Sequence, residues 1–318
     1  MRAVQVVTLD GPKSVEVRDV AAPDPGDRVL VDVRAAGLNF PDVLQTRGLY
    51  QYKPDPPFTI GSEVAGVVAA APESASVRPG DRVAAFCTIG GAAEQVAVPA
   101  DLVFPLPDEV AFTAAAALPM NYLTAHFALV TRGHLEAGQT VLVHGAAGGV
   151  GTAVTQLATA LGARVIAVVS SDAKAAVARA AGASDAVPVE GFKDAVKALT
   201  GGRGVNLVVD PVGGDRFTDS LRSLAPLGRL LVIGFTAGEI PTVKVNRLLL
   251  NNIDVVGVGW GAFSLARPGF VAEQWAQLLP HLTLLDPPID AVFPLERAGE
   301  ALTRIDERQV LGKVVLEV

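Results

Sequence analysis

The run from Thr140 to Gly151, Thr-Val-Leu-Val-His-Gly-Ala-Ala-Gly-Gly-Val-Gly, constrains the fold more than any other stretch. Val141 to Val143 reads as a short buried parallel strand. A glycine-rich turn follows, and then Val150, Val154, Leu157, Ala158 and Leu161 recur at helical spacing until Gly162 stops the helix. Where a strand passes through a tight turn into a helix, free backbone N–H groups and the helix dipole converge on one point, a ready site for phosphate. Ala146, Gly148 and Gly151 take the three small-residue positions of a dinucleotide fingerprint. Gly148 would let the backbone approach a pyrophosphate, and Gly151 would let the helix lie close to the strand. The backbone at Ala147, Gly148, Gly149 and Val150 is therefore a candidate cofactor cradle.

Such a turn is weak evidence alone, and the chain around it decides. From Thr140 onward strand and helix alternate. Strands are expected at Arg164–Val169, Ala186–Val189, Val205–Asp210, Arg229–Gly234 and Ile253–Val258, with helical faces between them. Six strands with intervening helices form a doubly wound α/β pattern. The first hundred residues differ: short strands separated by turn clusters such as Gly11-Pro12 and Arg78-Pro79-Gly80-Asp81, a compact β-domain or barrel. Residues after about Gly261 are expected to return and complete that β-domain. The division is thus 1–120, 121–261 and 262–318.

Several function classes are disfavoured at this point. The net charge of −7 argues against a nucleic-acid partner, which needs a basic face. The single cysteine, Cys87, excludes an intramolecular disulfide and any multi-cysteine zinc site, and a reducing cytoplasm is the expected compartment. No basic segment followed by an apolar run opens the chain, so no signal peptide is expected. Val110–Thr131 and Gln139–Ala163 lack charged residues. Pro119, Asn121 and the glycine turn break them, so they read as buried segments and not membrane spans.

The chain resembles the medium-chain dehydrogenase/reductases, and more narrowly their zinc-free quinone oxidoreductase (zeta-crystallin-like) branch. Ala36-Gly37-Leu38-Asn39 with Asp42, Gly48-Leu49-Tyr50, Gly80-Asp81-Arg82-Val83, Leu123-Thr124-Ala125, His144–Gly151, Asp210–Gly214 and Gly312-Lys313 carry the resemblance. It implies a GroES-like β-barrel catalytic domain and a Rossmann cofactor domain. Zinc-dependent relatives place Cys where this chain has Asn39 and His where it has Ser62. An amide and a hydroxyl are poor zinc ligands, and His126, His134, His144 and His281 show no mutual ligand spacing. No metal site is expected.

The resemblance also implies that Asn39, Tyr50 and Thr124 line the nicotinamide and substrate pocket. It places the backbone at Val212, Gly234-Phe235-Thr236 and Val258-Gly259 behind the cofactor, and Lys313 near the cleft. Bland roles stand beside these: Asn39 tying down a loop, Thr124 capping a helix, Tyr50 as a rim aromatic, Lys313 as a surface charge. The second strand ends in Ser170-Ser171 with Lys174 one turn later, where NAD-binding chains usually carry an acid; hydroxyls and an ammonium suit the 2′-phosphate of NADPH. Asp172 and a purely helix-capping role for Ser171 are the counterweights.

The expected activity is NADPH-dependent reduction of quinones or similar conjugated carbonyls, in a dry cleft between domains. The alternatives are an enoyl-thioester or alkenal double-bond reductase, or a non-catalytic NADPH-binding or RNA-binding protein. Finally, Ile253–Val258 should be the edge of the doubly wound sheet, guarded only by Asp254, and an edge like that favours a homodimer through the cofactor domain.

Overall fold

The computed structural model describes residues 1–318, which divide into two compact units. The first comprises Met1–Met120, Pro268–Trp275 and Pro287–Val318; the second comprises Asn121–Arg267 and Ala276–Asp286.

The first unit is built on short antiparallel strands. Strands β1 (Arg2–Val6), β2 (Val15–Asp19) and β4 (Phe58–Thr59) form a three-stranded sheet in the order β2-β1-β4. Strands β3 (Val29–Leu38), β5 (Glu63–Ala70), β6 (Arg82–Phe86), β7 (Gln95–Val98) and β8 (Val103–Pro105) build a larger sheet. Two late strands, β15 (Ile289–Pro294) and β16 (Lys313–Glu317), complete it in the order β15-β16-β3-β5-β6-β8, with β7 also paired to β3. The chain's end therefore does return to the β-domain. β3 runs through Leu38 because Ala35–Leu38 pair with Val314–Glu317, far away in sequence. Helix α1 (Phe40–Gln45) follows directly.

The second unit is a parallel sheet of β9 (Thr140–His144), β10 (Arg164–Val169), β11 (Asp185–Pro188), β12 (Val205–Asp210), β13 (Leu224–Val232) and β14 (Asp254–Gly257). Its order is β11-β10-β9-β12-β13-β14, with every neighbouring pair parallel. This is the doubly wound order with a reversal between β9 and β12, and ligands bind at the carboxyl ends of strands beside such a reversal. Leu142, Ile166, Val168, Val208 and Leu230 are fully buried in the sheet's core and Phe192 and Phe217 pack over them, which explains the unbroken apolar strands. Pro119 opens helix α2 (Pro119–His126), so it starts a helix where a break was expected; proline suits a first turn because its missing N–H has no acceptor there.

The expected return segment, 262–318, needs correction. Residues 262–267 and 276–286 pack with the second unit. Phe263 sits against Phe127 with ring centroids 5.0 Å apart. Gln156 donates to the Asp286 carbonyl at 2.6 Å and accepts from the Asp286 N–H at 3.0 Å, while Tyr122 donates to Gln156 at 2.6 Å. Between these pieces, Trp275 stacks on Phe104 of the first unit, centroids 4.4 Å apart. No helix is long and apolar enough to cross a membrane.

Candidate functional site

The glycine turn connects β9 to helix α3 (Gly149–Ala160). Gly145 takes a left-handed φ of 58°, which turns the chain sharply after the buried His144. The remaining glycines have separate reasons. A Cβ on Gly151 would overlap the Gly145 carbonyl oxygen and lie 2.7 Å from the Ala146 Cα, so helix and turn touch backbone to backbone. A Cβ on Gly149 would lie 2.6 Å from the Asn121 amide nitrogen. A Cβ on Gly148 would meet nothing closer than the Gly145 oxygen at 3.4 Å. Protein packing thus requires glycine at 151, where the neighbours are backbone, but not at 148, where the missing side chain leaves room above the helix start. No side chain caps that start, and the first N–H groups of any helix lack intrahelical acceptors. The cradle fits a phosphate.

At the end of β10, Ser171 caps helix α4 (Asp172–Ala180) by accepting from the Lys174 N–H at 3.3 Å. The Lys174 ammonium then reaches back to the Ser170 hydroxyl at 3.2 Å. Two hydroxyls and a cation are gathered in one exposed turn. Ser171 thus plays the helix-capping part of the bland reading, while the hydroxyl that meets the ammonium is that of Ser170.

The expected backbone positions after β12 and β13 are laced together. Asp210 Oδ1 accepts from the N–H groups of Val212 (2.8 Å) and Gly213 (2.9 Å). Thr236 and Ala237 donate to the carbonyls of Pro211 and Val212, and a Cβ on Gly213 would sit 3.0 Å from the Phe235 ring, so Val212, Gly234, Phe235 and Thr236 form one paired loop set. Val258 donates to the Val232 carbonyl and is buried; Gly259 is exposed. Thr124 is buried on α2. Beneath the glycine turn, Ser220 in helix α5 (Phe217–Arg222) donates to the Arg216 carbonyl, which leaves its oxygen to accept from His144 Nε2 at 2.8 Å. Burial pushes the His144 imidazole down to about 4, against the upward pull of Asp210. It is a neutral, structural histidine.

In the first unit, Asn39 is the cap residue of α1, and Asp42 Oδ2 accepts its backbone N–H at 2.7 Å. The Lys313 ammonium, at the start of β16, donates to both Asn39 Oδ1 and Glu63 Oε1. Asn39 Nδ2 donates to Glu63 Oε1 at 2.9 Å and to the Ser62 hydroxyl at 3.4 Å, and Glu63 Oε2 accepts from the Met120 N–H at 2.8 Å. Lys313 is only 3% exposed, so the expected alternative of a surface charge is wrong. Burial raises Asp42 to about 6, against the pull of its hydrogen bonds and of Lys313. Tyr50, half-buried after α1, is raised by burial and by the Asp42 charge. Sequence reasoning did not find Glu63 as a partner in this cluster; its signal was an acid standing directly before the apolar run Val64–Ala71. Asn39 and Ser62 do come together, as the comparison with zinc-ligand positions implied.

Residues 25–108 match the model of the alcohol dehydrogenase GroES-like domain, and residues 149–283 that of the zinc-binding dehydrogenase family. The chain is 41% identical over 296 residues to quinone oxidoreductase-like protein 2 of Rattus norvegicus, covering 91% of this chain and 85% of the relative. The chain belongs to the quinone oxidoreductase branch of the medium-chain dehydrogenase/reductases. Its two-part architecture is accordingly a GroES-like domain with a Rossmann-type parallel sheet. Among solved structures, a probable oxidoreductase from Mycobacterium abscessus superposes with a TM-score of 0.92 at 45% identity, covering 100% of this chain and 99% of that one. The quinone oxidoreductase of Thermus thermophilus, described together with its NADPH complex, gives 0.87 at 36% identity with full coverage of both chains.

Proposed function

We propose that this member of the branch is an NADPH-dependent, zinc-independent reductase of quinones or similar conjugated carbonyls. The observation that carries the reading is the glycine cradle, open above Gly148, together with the Ser170–Ser171–Lys174 set one strand away. Backbone N–H groups from Gly148 to Val150 would hold the pyrophosphate. Ser170, Ser171 and Lys174 would hold the 2′-phosphate, as a cation and two hydroxyls suit an anion that an acid would repel. Ala147, Val212, Gly234, Phe235, Thr236, Val258 and Gly259 would line the rest of the cofactor, with Thr124 at its nicotinamide end. Bound NADPH supplies the hydride; the protein supplies alignment and exclusion of water. Asn39 and Tyr50 would face the acceptor. Lys313, spent on Glu63 and Asn39, would act through Asn39 and not by touching the cofactor.

The donor set at the zinc-ligand positions supports a metal-free reading. Asn39 and Ser62 offer an amide and a hydroxyl, and an ammonium already binds the neighbouring carboxylate, where it would repel a second cation. Dialysis against a strong chelator should leave the rate unchanged. A panel of quinones, enals and enoyl thioesters assayed with NADPH and NADH tests the whole reading: fastest turnover is expected for quinones or enones with NADPH, and turnover confined to thioesters, or none, contradicts it.

Assembly as a homodimer through β14 belongs to the same proposal. β14 is the sheet edge, Val255 on it is exposed, and the short helix before it leaves Leu249 and Leu250 77% and 74% exposed. An unpaired apolar edge is a template for a second copy. Light scattering should give twice the 32.8 kDa chain mass.

A further inference from the structure

We propose that the Ser62 hydroxyl donates a hydrogen bond to the carbonyl oxygen of the acceptor, and that Lys313 and Asn39 are positioning residues that aim it. This inference rests on the reductase reading above.

The hydrogen bonds around the Asn39 amide lead to it. An ammonium only donates and a carboxylate only accepts. Lys313 Nζ lies on one side of the Asn39 amide and Glu63 Oε1 on the other. The amide therefore has a single permitted orientation: its oxygen takes the Lys313 proton, and its nitrogen faces Glu63 and Ser62. Flipping it would set oxygen against carboxylate and N–H₂ against ammonium. Both Asn39 protons are thereby committed to protein acceptors, one to Glu63 and one to Ser62. Asn39 has no proton left for a ligand.

The Ser62 oxygen receives from Asn39, while the Ser62 carbonyl accepts the Cys87 N–H at 2.8 Å and fixes the backbone. The hydroxyl's own proton has no acceptor in the protein. Lys313 to Asn39 to Ser62 is thus a one-way series of donations, and in such a series each donor polarises the next. Its open end is a hydroxyl on a residue 8% exposed. The ligand chemistry that completes it is an acceptor without a proton to give, and the oxygen of a quinone or enone is one. That oxygen gains negative charge as the substrate takes up hydride, so a donor fixed beforehand holds the charged form more tightly than the neutral one. Ser62 keeps its proton throughout; the role is a hydrogen bond, not acid catalysis.

The test uses the full-length protein and two readouts. In turnover of a quinone, Ser62→Ala should lower kcat by about a hundredfold, as for loss of one preorganised donor to a developing oxyanion. NADPH binding should stay at the wild-type value, and Ser62→Thr should retain most of the rate. In infrared difference spectra with carbonyl-labelled cyclohexenone and NADP⁺, where no reduction occurs, the bound carbonyl band should be lowered in wild type and in Ser62→Thr. It should return to the free frequency in Ser62→Ala. Lys313→Met should also weaken the band shift, with partial rescue in Lys313→Arg. Ser62→Cys, a weaker donor of similar size, should fall between wild type and alanine in both readouts. A wild type that reduces quinones with NADPH, beside a Ser62→Ala protein with unchanged kcat and band, overturns the role of Ser62 and leaves the reductase reading standing. A wild type with no carbonyl acceptor in turnover and no shifted band overturns both.

Discussion

The two units build their sites from opposite materials. In the second, the candidate phosphate cradle is backbone: a turn of glycines and alanines within twelve residues, where small size is the chief requirement. In the first, the site is a knot of buried side chains. Asn39, Asp42, Ser62, Glu63 and Lys313 come from the start of α1, the entry to β5 and the start of β16, up to 274 residues apart, and are closely hydrogen-bonded to one another.

That contrast can be broken most forcefully inside the glycine turn. Gly151→Ala should destabilise the second unit by more than about 4 kcal/mol, since its Cβ would be driven into backbone that cannot retreat. Gly148→Val should leave the melting temperature close to wild type and abolish NADPH binding. Thermal unfolding and a nucleotide titration on the two variants separate packing from ligand space; equal behaviour of the pair would dissolve the distinction.

The first unit's knot should fail by a different route. Glu63→Ala leaves the Lys313 ammonium buried without its carboxylate, a loss of about 3–5 kcal/mol. Replacing both partners, Glu63→Leu with Lys313→Met, should recover much of that stability without recovering activity. Denaturant unfolding of the single and double variants decides whether the pair serves the site or only the fold.

This difference in materials also governs what could be read from the chain. The doubly wound order, the edge position of β14 and the glycine turn between strand and helix were legible, because parallel strands are continuous apolar runs and the turn's residues are neighbours. The return of β16 to β3 was legible only as a general expectation, and the extension of β3 to Leu38 was not, since both depend on pairing across the whole length. Residues 276–286 are tied to the second unit in part by Gln156, whose surroundings no local pattern discloses. Glu63 was missed for the same reason. An acid in a strand becomes informative only when an ammonium from the far end of the chain is seen to meet it.

The two units should also respond to pH in opposite senses. Asp42 releases its proton near 3.8 unfolded and near 6 folded, so between those values the native state holds more protons and stability falls as pH rises. His144 protonates near 6.5 unfolded and near 4 folded, so there the unfolded chain holds more protons and stability is lost as pH falls. Each effect is about 3 kcal/mol over its full window, from about 1.4 kcal/mol per pH unit. Between pH 4 and 6 they oppose each other. Relative to wild type, Asp42→Asn should make stability climb with pH, and His144→Gln should make it fall, in unfolding free energies measured across that range.

The most direct measurement is also the smallest in expected size: equilibrium titration of wild type and Lys174→Ala with NADPH and with NADH. The second unit's backbone cradle is expected to hold a dinucleotide whose 2′-phosphate is read by Ser170, Ser171 and Lys174. Wild type should bind NADPH more tightly. Lys174→Ala should weaken NADPH by roughly one to two decades, the worth of a charge-assisted contact of about 1.5–3 kcal/mol, and leave NADH almost unchanged. Equal affinity for the two nucleotides, or an equal loss of both in the variant, would contradict it.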